Sequence, residues 1–156
     1  MAEHLEVGRL LFRLLDVPSR IAHAIKGSSE AKLHTAPSEG EWSAAEIFAH
    51  VRASDDIVAY RAYAILTRDN PPLTAYDERR WSEVARYAQV DVYPSLTVYT
   101  LRRNELVNML RQVTLDEWSR VGTHEERGIL SLLYMLTMFV EHEEEHCAQL
   151  QATCLR

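Results

Sequence analysis

Apolar residues recur at helical spacing in four long stretches of the chain. In residues 4–26, Leu11, Leu14, Leu15, Ile21 and Ile25 share one face, the spacing of an amphipathic helix. Pro18 suits the first turn of a helix and pushes the residue before it out of the helical region, so a break near Asp16–Pro18 is predicted. A second helix is predicted over 43–68, with Ser43 as N-cap and Glu46 completing a capping box. Its inward stripe is Ile47, His50, Val51, Ser54, Ile57, Val58 and Ile65. The third helix runs from Pro94 or Ser95 to about Gln112 on Leu96, Tyr99, Leu106, Met109 and Leu110. The fourth is predicted from near Glu126 almost to the end of the sequence, with Gly128, Ser131, Met135, Met138, Phe139, His142 and His146 on one stripe.

Residues 27–41 read as a polar connector containing Gly27, Pro37 and Gly40. The connection from Asp69 to Tyr93 is much longer and holds a short helix around 78–87. Adjacent antiparallel helices do not need such a length. It is predicted to carry the chain from one end of a bundle to the other, which rules out a plain up-down-up-down order. Residues 114–125 form a loop with a turn at Asp116–Trp118. No strand pattern is long enough to build a sheet. The expected fold is an all-α four-helix bundle with a long crossover connection between its second and third helices, as one domain over 1–156.

Composition narrows the function classes. The net charge is −6, with no block of Lys and Arg, which argues against nucleic acid or an anionic membrane as a partner. The nearly apolar run 129–140 is too short to span a bilayer. The N-terminus has neither a basic leader nor an apolar signal core. Cys147 and Cys154 share the last helix about 10 Å apart, beyond the roughly 7 Å that a disulfide spans. Free thiols point to a cytoplasmic protein.

The candidate chemistry lies in Glu141–Leu150, EHEEEHCAQL. His142 and His146 are one helical turn apart on one face, and His50 lies on the apolar stripe of the second helix. Three neutral imidazoles can bind a divalent ion and leave positions open for water or substrate; three buried, hydrogen-bonded histidines are the other reading. The run also spells His-Glu-x-x-His, a zinc-peptidase pattern. No His, Asp or Glu follows His146 to serve as a downstream third ligand. A di-iron site needs a second Glu-x-x-His motif, and Glu46 and His50 are four apart, not three. Glu143 and Glu145 flank the histidine face, about 80° from its centre, as candidates to orient a ligand or act as a base. Glu46 is a candidate to support His50, beside its capping role. Arg102 and Arg103, mid-helix, read as solvated or ion-paired, with a substrate-anion role as the alternative. Asp77, Arg80 and Trp81 are candidates for a pocket mouth.

Two segments, GEWSAAEIFAHVRASDD (40–56) and EWSRVGTHEERGILSLLYMLTMFVEHEEEHCAQL (117–150), carry a wider likeness. In order and spacing over almost the whole chain, the sequence resembles the DinB/YfiT-like superfamily of metal-dependent four-helix-bundle proteins. The resemblance implies a divalent ion, zinc or nickel, on His50, His142 and His146, with water completing the shell. It implies a homodimer, as in many relatives. It also implies a small-molecule substrate, and in some branches a low-molecular-weight thiol. Three readings stay open: a hydrolase or thiol-dependent transferase that activates water or a thiol, a non-catalytic metal- or small-molecule-binding bundle with a sensing role, and a bundle without metal.

Overall fold

The computed structural model describes residues 1–155. Four long helices dominate it: α1 (Ala2–Ile25), α3 (Ala44–Thr67), α5 (Val92–Leu110) and α7 (Leu132–Leu155). Three short ones, α2 (Glu30–Leu33), α4 (Glu78–Val84) and α6 (Leu115–Trp118), lie in the connections, with a 3₁₀ turn at Tyr87–Gln89. Around the bundle the order is α1, α5, α3, α7, so α1 and α3 sit diagonally.

Cross-helix bonds give the directions. Arg52 of α3 bonds Ser95 of α5, and Asp55 bonds Arg103, so α3 and α5 run parallel. Tyr93 reaches the carbonyl of Ile25 and Arg103 that of Leu14, so α1 and α5 are antiparallel. The arrangement is up-down-down-up. The connection 68–91 is the crossover that the sequence led us to expect, because two parallel neighbours cannot be joined by a short turn.

The second helix begins as its sequence dictates. The Ser43 hydroxyl accepts from the Glu46 N–H at 3.3 Å, and the Glu46 carboxylate accepts from the Ser43 N–H at 2.9 Å. That reciprocal pair satisfies two otherwise orphaned amides. At the other end of α3, Arg120 donates to the carbonyls of Ile65 and Arg68 at 2.9 and 2.7 Å.

Three expectations are corrected. First, α1 is not broken near Pro18 but runs through it. Pro18 has no N–H, so the Leu14 carbonyl loses its usual helical donor. The Arg103 guanidinium supplies one instead, at 2.8 Å. Second, a sheet does exist: β1 (Pro72–Leu73) pairs parallel with β2 (Val121–His124), and β2 antiparallel with β3 (Gly128–Ser131). The last helix therefore starts at Leu132, not near Glu126. Strands of two to four residues are too short to show a period, and the run after Gly128 is apolar in either conformation. Third, the buried face of α7 is centred on Leu132, Leu136, Val140, Glu143, Cys147 and Leu150; Met135 and Phe139 of the expected stripe are buried with it, while His142 and His146 are half-buried beside it.

Gly122 sits against Leu73 where β1 and β2 meet. A Cβ at this position would lie 2.9 Å from two Leu73 side-chain carbons. Gly122→Ala is expected to cost about 1–3 kcal/mol by overpacking, read as a lower midpoint in urea with an unchanged slope. An unchanged midpoint would show that Leu73 gives way freely. Among the described residues, no helix is long and apolar enough to cross a membrane.

Candidate metal centre

The capping box sets the start of α3, and His50 follows almost two turns into that helix, 1% exposed. His142 and His146 come from the antiparallel α7, one turn apart. The three side chains meet: their nearest ring nitrogens all lie within 4.8 Å of one another. The His50 and His142 Nε2 atoms are 3.0 Å apart. Two nitrogens at about 2.1 Å from one ion and at right angles to each other would be about 3 Å apart. His146 Nδ1 is 2.9 Å from the Gln149 side-chain oxygen. A proton on Nδ1 makes that bond and leaves the Nε2 lone pair free, the arrangement that orients a ligating imidazole.

Electrostatics favours neutral rings. Burial, then the neighbouring His146 and His142, pushes His50 down from 6.5 to about 4. Burial, with His146 next, also lowers His142. His50 Nδ1 is buried without a partner, so no competing hydrogen bond sets the ring orientation. The Trp42 ring packs on His50 at 5.3 Å between centroids, and Tyr87 packs edge-on against Trp42. The donor set therefore fits a divalent ion: three ring nitrogens converge, and the surroundings of His50 and His142 favour their neutral, ligating form.

These shifts give a pH prediction for the metal-free chain. The folded His50 binds its proton more weakly than the unfolded one does. Its contribution is complete above pH 6.5 and is lost as pH falls toward about 4. The Glu143 carboxyl, pushed up to about 7, acts in the opposite sense. Comparison with His50→Gln isolates the histidine: thermal midpoints should fall more steeply between pH 6.5 and 4 in the parent than in the variant. Parallel curves would sink this account.

The flanking glutamates part ways. Glu145 is exposed and lines a cleft of about 340 Å³ beside His142. Glu143 is 0% exposed and points into the core. Its Oε1 accepts from Arg103 Nη2 at 2.6 Å and from the Tyr99 hydroxyl at 2.8 Å. Arg103 also binds Asp55 Oδ1, at 2.7 and 3.2 Å. Burial alone would lower Arg103, but Tyr99, Glu143 and Asp55 outweigh it and hold it up. Of the two mid-helix arginines, Arg103 is thus buried and ion-paired, and Arg102 pairs with Asp56 at the surface. Glu46 is occupied by Ser43. Asp77 caps α4, Arg80 pairs with Glu83, and Trp81 packs on Tyr76. From the crossover it is Tyr76 and Glu78 that line the cleft.

Sequence reasoning missed His124, which lines that cleft from β2. The available signal was an isolated histidine in a segment rich in turn residues, which periodicity does not weigh. Cys147 and Cys154 are free thiols, and burial pushes Cys147 up to about 11.

A family model described as the DinB superfamily matches residues 13–150. "Putative metal-dependent hydrolase OB0782" of Oceanobacillus iheyensis is 23% identical over 141 residues, which is 90% of this chain and 81% of that protein. "Putative metal-dependent hydrolase YfiT" of Bacillus subtilis is 25% identical over 138 residues, 88% of this chain and 78% of that one. The solved structure of YfiT, described as having an unusual four-helix bundle topology, superposes with a TM-score of 0.87 at 24% identity. That match covers 94% of this chain and 85% of YfiT, and the two share the fold.

Proposed function

The chain belongs to the DinB superfamily, and on that premise we propose that it is a metal-dependent hydrolase whose His50, His142 and His146 hold one divalent ion, zinc or nickel. The observation that carries the reading is the convergence of three histidine ring nitrogens at the edge of an open cleft. The names of the relatives support it. An all-imidazole set suits zinc and nickel alike. When bound, such an ion supplies a Lewis acid and lowers the pKa of water toward about 7.

The chain's own residues supply the rest. Gln149 holds the His146 ring in one orientation. Trp42 packs on the His50 ring, and the cleft lined by His142 is the approach for substrate. Glu145, exposed on the cleft wall one residue before His146, takes the proton from the attacking water. Ser54 and Tyr76 lie across the cleft with their hydroxyls 2.8 Å apart. One proton serves that mutual bond and the other is free to donate to a substrate oxygen. Burial raises Tyr76, which keeps it a donor at neutral pH.

The test is a panel of small esters and amides offered to tag-free protein loaded with zinc or nickel, with and without an added low-molecular-weight thiol. Metal-dependent hydrolysis without thiol, lost in Glu145→Gln, is the expected result. Turnover only with thiol would move the assignment to group transfer. No turnover with either metal would leave a binding bundle.

A further inference from the structure

The cleft carries groups of both charges. Glu78, Glu141 and Glu145 line it with His142. From α3 and the β2–β3 hairpin, Arg61, His124 and Arg127 line it too, and the two arginines lie close enough to His124 to lower its pKa. Among the described residues, no carboxylate lies within ion-pair distance of Arg61 or Arg127. Arg61 is half-buried and anchored by a bond to the Thr74 carbonyl, so its position is fixed in advance. The nearby Glu125 is occupied by the Ala75 N–H at 2.8 Å.

His124 is 6% exposed and accepts at Nδ1 from the Glu126 N–H, at 3.2 Å. The neutral ring then carries its proton on Nε2, as a donor. Burial, then Arg61 and Arg127, lowers the His124 pKa and keeps it neutral. The same cleft is lined by apolar side chains: Val58, Leu130, Met135, Met138 and Phe139.

Two guanidinium groups without a carboxylate partner, one of them anchored, beside a neutral donor and apolar side chains, are the complement of an amphiphilic anion. We propose that the Arg61–His124–Arg127 cluster binds the carboxylate of a small substrate whose short apolar body lies on Met135, Met138 and Phe139, so that its reacting group faces His142 in the same cleft. The volume of about 340 Å³ sits at the small end of ligand sites, which selects a metabolite-sized molecule over a peptide. The acidic residues of the same cleft, with Glu125 and Glu126 in the hairpin turn beside His124, disfavour a dianion, so a carboxylate suits the site better than a phosphate ester. The assignment of this anion as substrate rests on the hydrolase reading; the binding site itself does not.

The test uses the full chain, both chelator-treated and zinc-loaded, titrated by NMR with hexanoate, hexanamide and hexyl phosphate. Hexanoate is expected to bind the metal-free protein, with hexanamide about ten-fold weaker. Arg61→Gln should weaken hexanoate about ten-fold and leave hexanamide unchanged. Arg127→Gln, at the exposed hairpin tip, should do the same without any demand on folding. Hexanoate binding that requires zinc and ignores both arginines would overturn the proposal, because the metal would then be its partner. So would hexyl phosphate binding more tightly than hexanoate, or no binding at all. Zinc content measured on the same samples reports on the triad separately: a chain that takes up no zinc yet binds hexanoate through Arg61 would lose the hydrolase reading and keep this site.

Discussion

His50→Leu is expected to abolish stoichiometric metal binding while leaving the helices intact. With His50 gone, only His142 and His146 remain, both on one helix, and the Nε2 atom 3.0 Å from His142 is lost. Removing a direct ligand should weaken zinc by more than the roughly 10–100-fold that loss of an outer partner costs, and metal-dependent activity should vanish with it. The same substitution should not destabilise the metal-free chain. His50 is buried, its Nδ1 has no partner, and burial disfavours its charged form. An apolar residue of similar size removes a desolvated polar group and leaves no partner stranded except His142, which is half-exposed to water. Metal analysis and chelator-treated melting curves on the same preparations check both halves. Full metal occupancy would show that another residue is the third ligand. A fall of several degrees in the metal-free midpoint would show that His50 holds the fold together in its own right.

Arg103→Met is expected to have the largest effect on stability. Arg103 is completely buried and joins three other helices: Asp55 on α3, Glu143 on α7 and the Leu14 carbonyl on α1. Removing it leaves two buried carboxyl groups facing each other and a carbonyl without a donor. Breaking a buried ion pair by deleting one partner costs about 3–5 kcal/mol, a large share of the total stability of a domain of this size. Adding Asp55→Asn and Glu143→Gln should recover part of the loss, since neutral amides tolerate burial better than unpaired carboxylates. Guanidinium unfolding of the single and triple variants measures this. A loss under about 1 kcal/mol for the single variant would mean that water or rotation of the carboxylates replaces the guanidinium easily.

How much of this the chain showed in advance depended on the length of the signal. Four helices of about twenty residues each carry several turns of period, and Ser43 with Glu46 marks a helix start unambiguously. The triad was legible because helical spacing and an apolar stripe together place His50, His142 and His146. The hairpin was not, because β2 and β3 have four residues each and lead directly into an apolar helix. The roles of the charged residues were only half legible. Arg103 falls on the stripe of Tyr99, Leu106 and Leu110, and Glu143 on that of Leu136, Val140 and Cys147. A charge in the middle of a buried stripe announces a partner, but only the packing of α5 against α1 and α3, and the reach of Arg103 to α7, say which. Glu143 drew attention for its place between two histidines, whereas a turn of 100° from His142 aims it into the core.

Pro18 has a consequence for how the sequence is free to drift. A proline inside a helix is ordinarily a defect that any other residue would repair. Here the carbonyl it exposes is the socket for the Arg103 side chain. Substituting Pro18 alone would restore a backbone donor that competes for Leu14; substituting Arg103 alone would leave that oxygen stranded. The two positions, 85 residues apart, are therefore coupled through one oxygen: with Pro18 replaced, losing Arg103 no longer strands the Leu14 carbonyl, although Asp55 and Glu143 still require the guanidinium.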